Sequence, residues 1–582
     1  MKSFLKNILT TIIGIISSII VMILLIIGFV AIISSEDEVK VKENSILKID
    51  LANTSVVERS SENPFDGLSL SGDVASTIEL KKVLDNIEKA KLDDNIKAIY
   101  INTSYVSAGI SQIEEIRNKL LEFKQTGKPI IAYSEVYNQA AYYLSSVANK
   151  VYLNPEGIVE LKGLSAGIMF YKGLLEKLDI EVQIIRHGKF KSAVEPFMLD
   201  KMSDANREQM QLLLNSFADN LFDSIASQRG MTLSDIHNHA NNLSLENAKS
   251  CLDLHYVDAL LYQDQVDDSL LVISKSEKLN FISLNKYSNV KVEKKEISRN
   301  KIAIIYATGE INSGEGDEKS IGSETTAKAI KTAREDKNVK AIVLRVNSPG
   351  GSALASDVIW RETVLAKEEK PLIVSMGDYA ASGGYYIACA ADSIVANPTT
   401  LTGSIGVFGM IPNLQKLYKN KLGISIDTVN TNKHADMGMN RALTKFEEDK
   451  IQKSVVDIYT TFITHVGEGR NMSTTAVDEI GQGRVWTGYD AKDIGLIDTY
   501  GGLEKAIEIA VYLAEIEDYR IISLPKKKDP FAELALKFGG ETSISDLVML
   551  KLGLKTELTN PIENLLKRDK IQARIPFIME LK

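Results

Sequence analysis

Hydrophobic residues are densest at the start of the chain. No charged residue occurs from Asn7 to Ser35, a stretch of 29 positions dominated by Ile, Leu, Val and Met. About 20 apolar residues are enough to cross the hydrocarbon core of a membrane, whereas the apolar region of a cleaved signal peptide is about 7–15 residues long. The segment therefore predicts an uncleaved transmembrane anchor at 7–35, preceded by a cytoplasmic N-terminus at 1–6.

Charges on either side of this segment predict its orientation. Lys2 and Lys6 precede it, and the acidic residues Glu36, Asp37 and Glu38 follow it. Positive residues favour the cytoplasmic end of a membrane helix. The rest of the chain is therefore expected outside the inner membrane.

Beyond the anchor, short apolar runs alternate with segments of helical periodicity. Ile96–Ser104 and Val339–Ser348 are apolar runs of strand length, and Gln112–Gly127 has a helical pattern. Such alternation is typical of βαβ units with a largely parallel sheet. The predicted fold class is α/β.

The order of these segments occurs twice. The run Ser45–Ala52 is matched by Lys301–Ile311, and Asn247–Leu261 is matched by Asp490–Gly502. A chain of this length also exceeds what one hydrophobic core holds. The predicted division is a first repeat at 45–262, a polar linker at 263–300, a second repeat at 301–525 and a C-terminal tail at 526–582, to which no role is assigned.

The two repeats have lost different residues. The motif GDYAASGGYY of the second repeat aligns with SEVYNQAAYY of the first, 243 positions earlier, and this places Gln139 opposite Ser382. Further along, Lys191 of the first repeat is opposite Ala435 of the second. Each repeat retains a residue that the other lacks, which suggests a single catalytic site assembled from both.

Two glycine turns surround the serine. Gly383 follows Ser382 where an apolar strand passes into a helical pattern, and Gly351 ends a similar turn 32 positions earlier. Glycine N–H groups at such turns can approach a ligand closely and stabilise the oxyanion of acyl transfer. Either turn alone is also consistent with a tight helix entry. Two of them in one repeat, with Tyr105–Ala108 replacing Ser-Pro-Gly-Gly in the other, favour an oxyanion hole.

A serine nucleophile needs a base. No histidine falls in a comparable motif, whereas a neutral lysine is the base of Ser-Lys enzymes. Lys191 lies in the apolar motif HGKFKSAVEPF, where burial would lower its pKa from about 10.4 toward 7. The alternatives are that Lys191 is an ordinary surface lysine, or that Lys189 is the base.

Composition argues against other classes of function. The net charge is −9 without a basic stripe, which disfavours a nucleic-acid partner. Cys251 and Cys389 are the only cysteines, and no CxxC motif occurs. Neither a disulfide framework nor a cysteine metal site is therefore expected.

Five motifs in one order carry a family resemblance: HGKFKSAVEPF, NSPGGS, GDYAASGGYY, LTGSIGVFG and GRVWTGYDAKDIGLID. With them the chain resembles the long, duplicated form of bacterial signal peptide peptidase A (protease IV), of the Clp-type serine proteases. The resemblance extends from the anchor to about Gly502. It implies two tandem crotonase/Clp-protease-like domains preceded by one transmembrane helix.

The resemblance also implies roles for individual residues. Ser382 would be the nucleophile, Lys191 the general base, Ser404 the residue that orients the lysine, and Gly351 and Gly383 the oxyanion hole. It implies no metal, nucleotide or organic cofactor. The implied enzyme is a Ser-Lys serine endopeptidase that degrades cleaved signal peptides in the membrane. It would be a homotetramer, with its catalytic domains on the periplasmic side of the bacterial inner membrane.

Three alternatives remain open at this point. A crotonase-type acyl-CoA enzyme shares the fold and the oxyanion hole but needs no serine nucleophile. A catalytically inactive membrane scaffold fits the anchor and the degraded first repeat. A related Clp-type membrane protease with a specific protein substrate shares the chemistry and differs in what it cuts.

Overall fold

The structure is a computed structural model that describes residues 39–60, 76–290, 298–527 and 571–575, together with seven positions between 10 and 21. The anchor expected at 7–35 therefore lies largely outside the described residues. Within the described part, no helix has both the length and the apolar character needed to cross a membrane.

Parallel strands form the core of the first repeat. The strands are β1 (Ser45–Ile49), β2 (Thr54–Val57), β3 (Ser76–Glu79), β4 (Ile96–Ile101), β5 (Ile130–Tyr137), β6 (Lys150–Val159), β7 (Glu181–His187), β8 (Ala259–Leu260) and β9 (Asn280–Ser283). The helices are α1 (Leu80–Leu92), α2 (Ile110–Lys124), α3 (Gln139–Ser145), α4 (Lys172–Lys177), α5 (Glu195–Met198), α6 (Asp204–Arg229), α7 (Leu233–Asn241), α8 (Ala248–Asp253), α9 (Gln263–Ser274) and α10 (Leu284–Ser288). The first sheet has the order β8-β6-β5-β4-β1-β9, and its strands all run parallel.

The second repeat follows the same plan. Its strands are β10 (Lys301–Thr308), β11 (Glu310–Asn312), β12 (Ser320–Gly322), β13 (Val339–Ser348), β14 (Gly350–Ser352), β15 (Leu372–Ala381), β16 (Ser393–Ala396), β17 (Leu401–Gly403), β18 (Val407–Asn413), β19 (Val485–Thr487), β20 (Thr499–Tyr500) and β21 (Arg520–Leu524). Its helices are α11 (Ser323–Glu335), α12 (Ala353–Glu369), α13 (Gly383–Ala388), α14 (Lys445–Arg470), α15 (Thr474–Ile480), α16 (Gly488–Asp493) and α17 (Leu503–Leu513). The second sheet has the order β19-β17-β15-β13-β10-β21, with β16 between β15 and β20.

Both sheets are buried on two faces. Nearly every residue of β4 and β13 is buried, as expected of parallel strands covered by helices on either side. Separate apolar clusters fill the two sides of each sheet. The α/β fold class and the duplication are confirmed.

Residues 263–300, expected to form a linker, instead contain α9 and β9. Strand β9 pairs in parallel with β1 at the edge of the first sheet, as β21 pairs with β10 in the second. Val266 and Leu270 of α9 are fully buried against this sheet. The polar residues of α9 lie mostly on the outer face of an amphipathic helix, which is why this part of the segment resembles a linker in sequence.

A third sheet joins the two repeats. Its order is β12-β11-β14-β22-β18-β7, where β22 (Ile571–Arg574) comes from the C-terminal tail. Strand β7 of the first repeat pairs antiparallel with β18 of the second along seven residues, from Glu181 opposite Asn413 to His187 opposite Val407. This pairing brings the segment that follows β7 to the carboxyl end of the second sheet.

Candidate active site

Ser382 occupies the turn between β15 and α13. It is fully buried and has φ +56° and ψ −113°, a left-handed conformation that is uncommon for a residue with a side chain. Its N–H donates to the carbonyl of Gly403 at 2.7 Å, and its carbonyl accepts from Tyr386 in the first turn of α13. The turn thus holds the hydroxyl in a fixed position at the start of a helix.

Lys191 reaches this turn from the first repeat. It follows β7 and precedes a short 3-10 turn at Ser192–Val194. Its segment is fixed to the second repeat by the N–H of Phe190, which donates to Gln482 O at 2.9 Å. The Lys191 Nζ lies 2.7 Å from Ser382 Oγ. The structure therefore brings together the two residues that the repeats retain separately.

Two glycines of the second repeat make room for the lysine. A Cβ placed on Gly483 would lie 2.7 Å from the Lys191 Cβ, and one placed on Gly406 would lie 3.2 Å from the Lys191 Cδ. Gly483 also has φ +79°, which favours glycine. Both residues fall inside motifs noted in the sequence, but their contact with Lys191 depends on the docking of the two repeats and has no signal within either one.

The lysine is held in an environment that disfavours its charge. Lys191 is fully buried, and burial lowers its pKa well below the ordinary value, with a further lowering from the positive charge of Arg574. Within the described part of the chain, its hydrogen-bond partners besides Ser382 are both on Ser404, the carbonyl oxygen and Oγ, each 3.1 Å from Nζ. Ser404 is itself fully buried with φ +49°.

The two glycine amides lie side by side. Gly351 is in β14, paired with Ile311 of β11, and Gly383 is the first residue of α13. A Cβ placed on Gly383 would lie 3.1 Å from the Gly351 nitrogen. Both N–H groups are therefore close to the turn that carries Ser382.

The alternative base and the counterpart residues lie elsewhere. Lys189 is exposed, with its ammonium 5.2 Å from the ring centre of Phe190. Gln139, opposite Ser382 in the alignment, accepts hydrogen bonds with its side-chain oxygen from the backbone of Lys162 and Gly163. Ala435, opposite Lys191, is exposed in a turn region.

A buried ion cluster joins the two repeats. Arg345 of β13 is fully buried and donates to Glu58 at 2.8 and 2.9 Å and to Glu115 of α2 at 2.7 Å. Burial alone would raise the pKa of Glu58, but the charge and hydrogen bonds of Arg345 hold it below the ordinary value. Sequence reasoning missed this cluster, because its two carboxylates lie in one repeat and its arginine in the other.

The arrangement has the parts that acyl transfer needs. It contains a hydroxyl, an amine that burial favours in the neutral form, an acceptor pair that orients the amine, and two adjacent backbone N–H groups. Groups of these kinds, placed in this way, could serve as a nucleophile and a general base beside an oxyanion hole.

Comparisons with known proteins agree with this chemistry. The model of peptidase family S49 matches the chain twice, at residues 122–275 and 365–517. Protease 4 of Salmonella typhi is 38% identical over 78% of this chain and 74% of its own length. The chloroplastic serine protease SPPA of Arabidopsis thaliana is 35% identical over 87% of this chain and 75% of its own.

Two solved structures match parts of the chain, at low sequence identity and low TM-score. ClpP1 from Listeria monocytogenes is 16% identical, with a TM-score of 0.23 over 34% of this chain and 91% of that one. The 1510-N membrane-bound stomatin-specific protease, in complex with a substrate peptide, is 16% identical with a TM-score of 0.27 over 41% of this chain and all of that one. On the two matches to the family model and the extent of the similarity to Protease 4, the chain belongs to peptidase family S49, as a duplicated serine protease of the Protease 4 and SppA type.

Proposed function

We propose that the chain is a membrane-anchored serine endopeptidase in which Ser382 is the nucleophile and Lys191 the general base, and that it degrades cleaved signal peptides. The observation that carries the proposal is the buried contact of 2.7 Å between Lys191 Nζ and Ser382 Oγ. A buried lysine beside a hydroxyl, with no acidic partner among the residues that the structure describes, is suited to accept a proton.

Ser404 directs the lone pair of the lysine. A neutral amine has two N–H groups and one lone pair, and Ser404 offers two acceptors, each 3.1 Å from Nζ. With both N–H groups directed at Ser404, the lone pair faces the Ser382 hydroxyl. Ser404 is thus a positioning residue that prepares the lysine to act as a base.

The reaction begins when the Lys191 amine takes the hydroxyl proton as Ser382 Oγ attacks the carbonyl carbon of the scissile peptide bond. Negative charge develops on the carbonyl oxygen, where the N–H groups of Gly351 and Gly383 stabilise it. The lysine then gives its proton to the leaving amine, which leaves an ester on Ser382. Water hydrolyses this ester, with Lys191 again taking the proton.

The proposed substrate and location rest on the N-terminal segment and on the family. The uncharged stretch from Asn7 to Ser35 is long enough to anchor the enzyme in the bacterial inner membrane, with its catalytic repeats on the periplasmic side. An anchored active site meets peptides that remain in the bilayer after a preprotein is cleaved. A relative in Enterococcus faecium, 34% identical over 42% of this chain and 70% of its own, has the description putative signal peptide peptidase SppA.

A homotetramer is proposed for the assembly. The counterparts of β18 and β7 in the opposite repeats are Leu164–Phe170 and Ile424–Asn430, and neither pairs with a strand in the described part of the chain. Residues 424–430 are exposed throughout. Pairing of Ile424–Asn430 with Leu164–Phe170 of the next copy would repeat the contact between β7 and β18 and build a head-to-tail ring. The number of four copies follows from the resemblance.

Trapping of substrates with a Ser382→Ala variant tests the proposed function. The variant loses one hydroxyl, so we expect it to fold, to show no peptidase activity, and to retain bound peptides when it is purified from membranes. Mass spectrometry of those peptides should find signal-peptide sequences. Recovery of one folded protein instead would indicate a protease with a specific substrate. Wild-type turnover by the variant would rule out Ser382 as the nucleophile, whereas a wild-type protein without peptidase activity would favour the scaffold or acyl-CoA alternatives.

A further inference from the structure

Strand β15 is interrupted by a bulge just before the turn of the candidate nucleophile. Val346 of β13 is opposite Met376, and the next pair is Ser348 opposite Ala380. One residue of β13 therefore faces three of β15, residues 377–379, the β15 bulge. A bulge bends its strand and changes the direction of the side chains that follow, and bulges are frequent beside active sites.

The β15 bulge is the point at which this strand changes its neighbour. Up to Ser375 the strand pairs with β16, and from Tyr379 it pairs with β17. At the end of the second pairing the Ser382 N–H donates to Gly403 O at 2.7 Å. Gly403 precedes Ser404, whose two acceptors contact the lysine amine. The bulge therefore places the nucleophile beside the strand that leads to Ser404.

Asn347 is the residue of β13 that faces the β15 bulge. Its side-chain oxygen accepts from the Tyr379 N–H at 3.1 Å, and its Nδ2 donates to Asp378 Oδ2 at 3.2 Å. A Cβ placed on Gly377 would lie 2.9 Å from the Asn347 Cγ, so the amide also lies close to the first residue of the bulge. The side chain supplies hydrogen bonds where the bulge interrupts the ladder between the two strands.

The first repeat contacts the same bulge from the other side. The Ser111 N–H, in the first turn of α2, donates to Asp378 Oδ1 at 2.9 Å, and a Cβ placed on Gly109 would lie 2.0 Å from Oδ2. Asp378 is 7% exposed. Burial, with the charge of Glu58, raises the pKa of Asp378 to about 6, so at pH 8 the carboxylate is ionised and accepts from both of its donors. Groups from both repeats therefore hold the bulge.

We propose that Asn347 is a positioning residue for the nucleophile, which holds the β15 bulge in the form that orients Ser382, and that the docked first repeat supports this bulge through Asp378. The inference rests on the proposed function. Both side chains act through the backbone that leads into the serine turn. The first repeat then contributes to the orientation of the nucleophile as well as supplying the base.

Loss of the Asn347 side chain should lower the rate of reaction at the serine. Asn347→Ala removes both hydrogen bonds to the bulge, and a displacement of about 1 Å at a reacting group costs about 100-fold in rate. We expect a loss of this size in kcat, with KM within about twofold of the wild type. The surroundings of Lys191 stay the same, so the midpoint of the pH profile should not move.

Exchange of the two side chains tests the contact between them with variants of unchanged size. Asn347→Asp places two carboxylates in contact. Asp378→Asn places two NH2 groups in contact, because the amide oxygens already accept from Tyr379 and Ser111. Each single variant should lose about 10–100-fold in kcat at pH 8. The double variant Asn347→Asp/Asp378→Asn again places a donor opposite an acceptor, and should recover to within about tenfold of the wild type.

Two measurements report the orientation of the serine: the rate at which a fluorophosphonate labels Ser382, and kcat and KM for a quenched peptide of alanine and leucine. Asp392→Ala is the matched control. Its carboxylate accepts from the Leu372 N–H at 2.9 Å, at the first residue of β15, so its removal disturbs the same strand and leaves the bulge in place. This control should stay within about twofold of the wild type in both measurements.

The outcomes separate this inference from the proposed function. Labelling of Asn347→Ala at the wild-type rate overturns the inference and leaves the protease intact, as does an equal loss in Asp392→Ala. A double variant no more active than the poorer single variant overturns the contact between Asn347 and Asp378. A pH midpoint that moves toward the ordinary lysine pKa in Asn347→Ala would show that the repeats have separated, and would also overturn it. Absence of labelling at Ser382 in the wild type contradicts the proposed function, and this inference with it.

Discussion

Lys191 Nζ lies 2.7 Å from Ser382 Oγ, although 191 positions separate the two residues along the chain. The lysine follows the strand that the first repeat adds to the third sheet, and the serine begins a helix of the second repeat. Neither repeat contains both residues, since Gln139 and Ala435 stand at the equivalent positions. The contact exists only when the two repeats are docked.

The pH dependence of activity should report the lysine. Burial lowers the pKa of Lys191 well below its ordinary value, and the base acts only when it is deprotonated. Activity is therefore lost as pH falls through this lowered pKa and is retained above it. We expect kcat/KM, measured from pH 5 to 10, to rise with pH, with a midpoint well below pH 10, and then to become constant. A limb near the ordinary lysine pKa of about 10.4 would contradict a buried base.

Ser404→Ala should weaken catalysis without abolishing it. The variant removes the Oγ that lies 3.1 Å from Nζ and leaves the carbonyl acceptor in place. Loss of a hydrogen bond to a charged group corresponds to a fall in kcat/KM of about 10–100-fold. The pH limb should also move to lower pH, because the ammonium form loses an acceptor.

Thr402→Val is the control for this variant. Thr402 is fully buried two residues before Ser404, and its hydroxyl donates to Ala380 O at 2.8 Å. Its replacement removes a buried hydrogen bond of similar depth and should leave the pH limb in place. If the acidic limb of the pH profile shifts equally in both variants, the cause is a general disturbance of the segment that contains Thr402 and Ser404.

Arg345→Met should destabilise the protein. The arginine is fully buried between Glu58 and Glu115, and its removal leaves two buried carboxylates without a cation, at a cost of about 3–5 kcal/mol. Arg334→Met is the matched control, since Arg334 pairs with Glu369 at the surface and such pairs contribute about 0–1 kcal/mol. Thermal unfolding of both variants checks this, and similar midpoints would show that the cluster does not lock the repeats.

The elements of the fold were predictable because each repeat carries its own hydrophobic pattern. Strands such as β4 and β13 are continuous apolar runs, and their recurrence identified the duplication. The prediction of a linker at 263–300 is wrong, and the reason lies in the composition of this segment. In helix α9 the polar residues outnumber the apolar ones, and the role of the apolar residues becomes clear only when Val266 and Leu270 are seen against the first sheet.

Ser382 and Lys191 of the candidate site were predictable because, when the two repeats are aligned, each repeat retains one of these residues and lacks the other. Other parts of it depend on contacts between repeats. Gly406 and Gly483 pack against the stem of a lysine in the other repeat. The tail strand β22 begins at Ile571, 219 positions after β14 ends at Ser352, and no pattern in its few residues indicates its pairing with β14.

Replacement of two neighbouring lysines tests whether the base comes from the first repeat. Lys191 is fully buried beside Ser382, whereas Lys189 is exposed. Methionine fills the space of either stem without a titrating group. Peptide hydrolysis by purified Lys191→Met should fall by about 10⁴-fold or more in kcat/KM, and Lys189→Met should remain within about twofold of the wild type. A Lys191→Met enzyme with near-wild-type kcat/KM, or a loss of this size in Lys189→Met alone, would show that Lys191 is not the base.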